Sequence, residues 1–220
     1  MNELTHFFFG YFIAVAVLRK RHDSLETFLV SMAALIPDFD MIIGLFIDLE
    51  HGVFTHTIIG GLLFTFIFCS VMWLLGNDLL VENKISFSSL FFLVSLGMFS
   101  HLFLDSFTYF YSVETDATHH MYFWPIWNFP VHINTMFPSA TWEIRVLIEV
   151  LVSAFLIVSI IGYGWIIKKQ NPFKMFFSKN WLENLEIEEE AFNKKVQRQA
   201  HLVLGVNLAI IGFLILNYFL

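Results

Sequence analysis

The chain has 220 residues, of which 57% are hydrophobic and 14% charged, with 28 phenylalanines. A soluble domain carries about 25% charged residues, and a fold this small leaves much of its surface exposed, so a soluble globular enzyme and a disordered chain are both excluded. Its 12 Lys and Arg against 19 Asp and Glu give a net charge of −7, and where those charges sit says more than their sum.

The first apolar stretch, residues 6–19, comes before the basic cluster Arg19-Lys20-Arg21. A cleavable signal peptide has the reverse order, so this stretch reads as a first span with its N-terminus outside. The second, 24–46, is interrupted by Pro37-Asp38-Phe39-Asp40 and reads as a shorter helix ending near Pro37. Longer runs follow at 54–76, 85 to about 111, 144–167 and 202–220. Each is close to the roughly 20 residues a spanning helix needs. The fold class is therefore all-α: a polytopic transmembrane helical bundle of about six spans, or four full spans plus a re-entrant N-terminal hairpin. In the connecting loop 168–199, Trp181, Leu182, Leu185, Phe192 and Val196 recur at helical spacing between charged flanks. That loop reads as a cytoplasmic amphipathic helix on the inner leaflet, or as a solvated helical linker. The single Cys69 excludes an internal disulfide or a Cys-rich zinc module.

Lys and Arg collect in cytoplasmic loops. Placing the 19–23 turn inside also puts 77–84 and 168–199 inside, and these three segments hold eleven of the 12 basic residues, Arg145 being the exception. Both termini are then outside. The outer half carries −9 and the inner half +2. Seven of the nine histidines, all but His22 and His201, also fall on the outer side. Histidines and carboxylates gathered at one face with almost no Lys or Arg call for a cation.

The sharpest local feature is Gly97-Met-Phe-Ser-His101-Leu-Phe-Leu-Asp105 in the fourth span. Residues four apart share a helix face, so His101 and Asp105 point the same way, and Gly97 lets another helix approach. The pair is either a structural hydrogen bond or a functional site, since ionisable groups inside a span are costly. At about 1.5 Å per helical residue, His6, Asp38, His56 and His101 reach a similar depth near the outer boundary. Such convergence from several helices is what a metal site in a bundle requires, and imidazole with carboxylate suits zinc, manganese or iron. His51 reads as an interfacial or ligand-orienting group, and His119-His120 as interfacial or additional ligands. Trp124 and Trp127 form an interface belt. At the start of the fifth span, Arg145 either pairs with Glu149 or meets an anionic substrate group, and Glu143 can reach the metal from the outer end.

Taken together, His6, Leu35-Ile36-Pro37-Asp38-Phe39-Asp40, His51-x-x-Phe54-Thr55-His56, Gly97-x-x-Ser100-His101-x-x-x-Asp105 and Trp124-Pro125 resemble the YdjM type of membrane-bound, metal-dependent hydrolase. These are LexA-regulated inner-membrane proteins, and the likeness covers about residues 1–145. Where that family reads His-Arg-Gly-x-Thr-His, this chain has His51-Gly52-Val53-Phe54-Thr55-His56. More remotely, the order of ligands is similar to the zinc-dependent phospholipase C and single-strand nuclease group. The chain then divides into a hydrolase-like transmembrane domain over 1–167 with its site at the outer face, and, outside the resemblance, the cytoplasmic 168–199 loop and a last span over 200–220. The resemblance implies one or two divalent ions, zinc first and manganese or iron as alternatives. His6, Asp38, Asp40, His56, His101 and Asp105 would be ligands, and His119, His120 and Glu143 secondary candidates. His51, Asp105 and Arg145 would serve catalysis. The expected partners are the bilayer and a phospholipid or other phosphoester, and the sequence has no nucleic-acid-binding signature. A non-enzymatic metal-binding or metal-transport membrane protein is the alternative reading.

Overall fold

The computed structural model describes residues 3–44, 46, 54–106, 123, 126, 142–183, 185 and 190–219, and among these every regular element is helical. In chain order they are α1 (Glu3–Phe12), α2 (Leu25–Ala33), α3 (Asp40–Ile43), α4 (Ile58–Glu82), α5 (Phe87–Asp105), α6 (Trp142–Gly162), α7 (Ser178–Leu182) and α8 (Glu190–Phe219). Four stretches are long and apolar enough to cross a membrane: Ile58–Glu82, Phe87–Asp105, Val150–Ile167 and Glu190–Leu216. The N-terminal pair is shorter. α1 extends only to Val17, through a π-helical turn, and α2 has nine residues, about 14 Å of helix. The described residues thus supply four full-length apolar helices and an N-terminal helical hairpin.

That hairpin is the centre of the bundle. In α2 every residue except Glu26 is buried, although the helix is too short to span. α1 packs against α2, α5 and α6, α2 against α5, and α4 against α5 and α8. The long helices instead carry exposed apolar side chains, among them Leu74, Phe155, Val158 and Leu216. In a bilayer these face hydrocarbon at no cost, which is why a chain too apolar for water is stable there.

Two glycines let α2 sit so deep. A Cβ on Gly10 of α1 would lie 2.9 Å from both the Val30 carbonyl oxygen and Ala34 Cβ. A Cβ on Gly97 of α5 would lie 2.4 Å from the same Val30 oxygen and 2.6 Å from Ala33 Cβ. The backbone of α2 is therefore clasped from both sides at its last turn, the close approach that small residues permit in membrane bundles. α2 stops at Ala33: Pro37 has no N–H to return to the Ala33 carbonyl, which accepts from Ile36 instead, and Pro37 opens the 3-10 turn that follows.

Side-chain caps set the other helix starts. Ser24 accepts from the Thr27 N–H, Thr57 from Gly60 and Ser86 from Ser89, each satisfying an otherwise orphaned donor. The Thr57 cap delays α4, so residues 54–57 form a turn instead of the first turn of a span. α4 is kinked at Gly76 (φ −143°, ψ 31°), and beyond the kink Gln199 of α8 accepts from the Leu79 N–H at 2.9 Å.

The 168–199 segment differs from its expected form. Phe192 and Val196 belong to α8, which runs unbroken into the last span, so a boundary at 199/200 falls inside one helix. Before it, a 3-10 turn (Pro172–Phe176) and α7 fold into the bundle. Phe176 stacks on Phe7, Trp181 packs on Phe28, and the Trp181 indole N–H donates to the Met175 carbonyl. Burial of Met175 and Trp181 against the hairpin outweighs an interfacial position.

At one end of the bundle α1, α4 and α6 finish alike. Each is followed by a basic residue in the left-handed region: Arg19 (φ 55°), Lys84 (φ 58°) and Lys169 (φ 53°). A cation there complements the negative end of a helix dipole.

Gly97→Ala should lower stability by about 1–3 kcal/mol through overpacking against backbone. Gly212→Ala, where an added Cβ meets nothing within 4 Å, should leave stability unchanged or raise it. Thermal unfolding of the two variants in detergent checks both outcomes.

Candidate metal centre

At the end opposite the basic turns, four segments deliver ionisable side chains to one point. α1 contributes His6. The Pro37–Phe39 turn and the start of α3 contribute Asp38 and Asp40, and the turn before α4 contributes His56. α5 contributes His101 and Asp105, one helical turn apart. All six are buried, with exposures of 1–7%.

The innermost donors are His56 Nε2, His101 Nε2, Asp38 Oδ1 and Asp105 Oδ2. His101 Nε2 lies 2.9 Å from Asp105 Oδ2, 3.2 Å from His56 Nε2 and 3.6 Å from Asp38 Oδ1. His56 Nε2 lies 3.4 Å from Asp105 Oδ2 and 3.7 Å from Asp38 Oδ1. Ligands at roughly 2.1 Å from a tetrahedral zinc would be about 3.4 Å apart, so these spacings match the edges of a coordination polyhedron. Two groups could hold a metal ion by distance: His6 with His101 and Asp105, and Asp38 with His56 and His101.

The surrounding atoms turn both rings the right way. His101 Nδ1–H donates to the Ala34 carbonyl at 2.8 Å, which leaves Nε2 as the ring nitrogen facing the cluster, able to ligate once it carries no proton. The Ala34 carbonyl is in reach because Gly97, one turn earlier, brings α5 onto α2. His56 Nδ1 faces Thr55 Oγ1 at 3.2 Å and Asp40 Oδ2 at 3.9 Å, and Thr55 donates to that same Asp40 oxygen at 2.6 Å. Carboxylate or carbonyl partners on the far ring nitrogen are the usual support of a metal-binding imidazole.

Asp105 faces two ways. Its Oδ2 points to His101 and His56, while Oδ1 lies 3.2 Å from His6 Nε2. The His6 ring stacks on His101 with centroids 3.7 Å apart. His6 Nδ1 is buried with no hydrogen-bond partner among the described residues. A buried imidazole nitrogen left in that state is costly, and a further ligand or cation beside it would relieve the cost.

The structure thus brings together His6, Asp38, His56, His101 and Asp105. Asp40 stands apart, on the Nδ1 side of His56, and is not among the converging donor atoms. His51, His119 and His120 lie outside the described residues. So do the side chains of Glu143 and Arg145, although their backbone forms the first turn of α6. Sequence reasoning missed Thr55 and the Ala34 carbonyl. Thr55 stood beside His56 and could have been singled out, whereas a main-chain oxygen carries no sequence signal.

The sequence model of the YdjM inner membrane protein family matches residues 1–172. The chain belongs to that family, and the described apolar helices make it a polytopic, bilayer-associated protein. No curated protein and no solved structure matches the chain at a significant level.

His101→Ala and Asp105→Ala should each abolish stoichiometric metal retention in detergent-purified protein. Asp40→Asn, which weakens the Thr55–Asp40 support of His56, should lower affinity about 10–100-fold without abolishing binding. Metal content after dialysis against graded chelator checks both.

Proposed function

We propose that this member of the YdjM inner membrane protein family is a metal-dependent hydrolase acting on phosphoesters, with zinc as the first candidate ion. The observation that carries this reading is the convergence of buried Nε2 and carboxylate oxygens from four chain segments at coordination distances. Imidazole and carboxylate together suit zinc, with manganese or iron as alternatives.

His56, His101 and Asp105 form the tightest triangle of donors, with edges of 2.9–3.4 Å, and would hold the ion. When bound, a divalent metal supplies polarisation of the phosphoryl oxygen and lowers the pKa of a coordinated water. Asp38, looser at 3.6 and 3.7 Å, would accept a hydrogen bond from the attacking water and take its proton at Oδ1. His6, whose Nε2 lies 3.2 Å from Asp105 Oδ1, would with His101 and Asp105 hold a second ion if two are bound. His51 and Arg145 are assigned to leaving-group protonation and to the phosphate charge, the latter because a guanidinium matches phosphate geometry.

Under the positive-inside rule the basic ends of α1, α4 and α6 lie in the cytoplasm. The metal site then sits near the outer leaflet of the inner membrane, with both termini outside. A recessed site at that depth favours a phospholipid headgroup or another membrane-embedded phosphoester. A largely apolar cavity of about 180 Å³ beside α1, lined by Leu4, Phe7, Phe8 and Leu214 together with Glu3, offers room for part of an acyl chain.

A second reading has a specific observation behind it. Four protein donors filling a tetrahedron is the pattern of a closed, structural zinc site, whereas a catalytic one keeps a position open. Asp38→Asn separates the two. In the hydrolase it should keep bound metal and lose about 10²–10⁴-fold in activity, the usual worth of a general base. In a closed site it should lose metal. The assay is release of phosphate or alcohol from phosphodiester, phosphomonoester and phospholipid substrates, with chelation and zinc add-back. Metal-loaded wild type that hydrolyses none of them sinks the enzyme reading and leaves the metal-binding one.

A further inference from the structure

The basic end of the bundle holds a polar cavity that shares no residue with the metal site. It has a volume of about 500 Å³ and is lined by Arg21, His22, Asp23, Lys169, Asn171 and Lys174, with Gln170 at its edge. Three fixed cations and one carboxylate face it.

Both walls are pinned. On one side the Arg21 carbonyl accepts from the Ser24 N–H and from the Thr27 hydroxyl at 2.6 Å, which ties the turn to the start of α2. On the other, the Gln170 N–H donates to Gly164, and Asn171 Oδ1 accepts from Phe173. The two walls meet at Gly164, where an added Cβ would lie 2.6 Å from Pro172 and 3.0 Å from the Tyr11 hydroxyl. That hydroxyl is hydrogen-bonded to Nδ1 of the buried His22, which leaves Nε2 as the other ring nitrogen.

The charges are only partly satisfied. Asp23 takes Arg21 Nε at 3.1 Å, leaving the terminal nitrogens of the guanidinium. Among the described residues neither Lys169 nor Lys174 has an ion-pair partner. Burial, with Lys168 nearby, holds His22 below its ordinary pKa, so the positive charge at neutral pH belongs to the Arg and Lys side chains.

We propose that this cavity, between the 19–23 turn and the 169–174 segment, is a binding site for a phosphate group, which Arg21, Lys169 and Lys174 would grip. A guanidinium fork with two ammonium groups is the donor set that recognises phosphate oxygens. Basic pockets between transmembrane helices are where anionic lipid headgroups bind, and a free phosphate would satisfy the same donors. The site is independent of the metal centre and of any hydrolase activity.

The test uses the full chain in detergent. Native mass spectrometry measures retention of phosphatidylglycerol against phosphatidylcholine, and calorimetry measures inorganic phosphate. Lys169→Gln/Lys174→Gln removes charge from two exposed side chains, and Lys179→Gln/Lys194→Gln removes the same charge elsewhere at that end. At about one surface lysine's worth each, the first pair should weaken binding about tenfold or more, and the second should leave it within about twofold. Selective loss of phosphatidylglycerol identifies a lipid headgroup, and selective loss of inorganic phosphate identifies a soluble one. Equal binding by wild type and Lys169→Gln/Lys174→Gln for both probes, or equal loss in both double variants, overturns the proposal.

Discussion

The closeness of α2 to its two neighbours governs the rest of the molecule. Gly10 and Gly97 press on the same carbonyl, Val30, from opposite sides, and no residue with a Cβ fits at either place without movement. This clasp buries a nine-residue helix that could not span a bilayer alone. It also fixes where the helix ends. Because α5 lies against α2 at Gly97, His101 one turn later meets the Ala34 carbonyl, and the turn beyond Ala34 carries Asp38 to the same point.

The metal centre follows from that placement. Three imidazoles and three carboxylates buried in an apolar chain would be strongly destabilising if left isolated. They are instead arranged in layers. The carbonyl of Ala34 and the Thr55–Asp40 pair hold the outer nitrogens of His101 and His56, and the inner nitrogens and oxygens face one another. Imidazole lone pairs directed at carboxylates gain little from each other without a shared proton or cation. A divalent ion would answer that electrostatic problem, and the chain's belonging to a family of inner membrane proteins places the arrangement in a bilayer.

The two ends of the bundle are built on opposite principles. At the metal end, charge is buried and turned inward. At the other, it is exposed and carried by left-handed caps, where a cation also serves the helix dipole. The 172–182 segment belongs to this second architecture. Its aromatic residues fill the space beside α1 and α2, while Lys174, the preceding residues 169–171 and the 19–23 turn frame a basic cavity. The hairpin therefore links the two regions: one end supplies groups that could hold a metal, and its basic end supplies one wall of the cavity.

The amino-acid sequence by itself determined the class of the protein, because composition and helical run length depend on no contact between distant residues. It also determined that His101 and Asp105 share a face and that Gly97 marks a close approach, since both follow from 3.6-residue periodicity. It singled out His6, Asp38, His56 and His101 by similar depth alone. Only the tertiary structure decided which of the two acids in Pro37-Asp38-Phe39-Asp40 joins the converging donors. That choice turns on how the 3-10 turn rotates each side chain after α2 ends. The folding of 172–182 into the bundle was likewise out of reach, because an amphipathic pattern reports a buried face without naming what buries it. The same limit applied to the charges: their sum and their sides could be read in one dimension, but their grouping into a buried centre and an open basic cavity required the packing of α1 and α2.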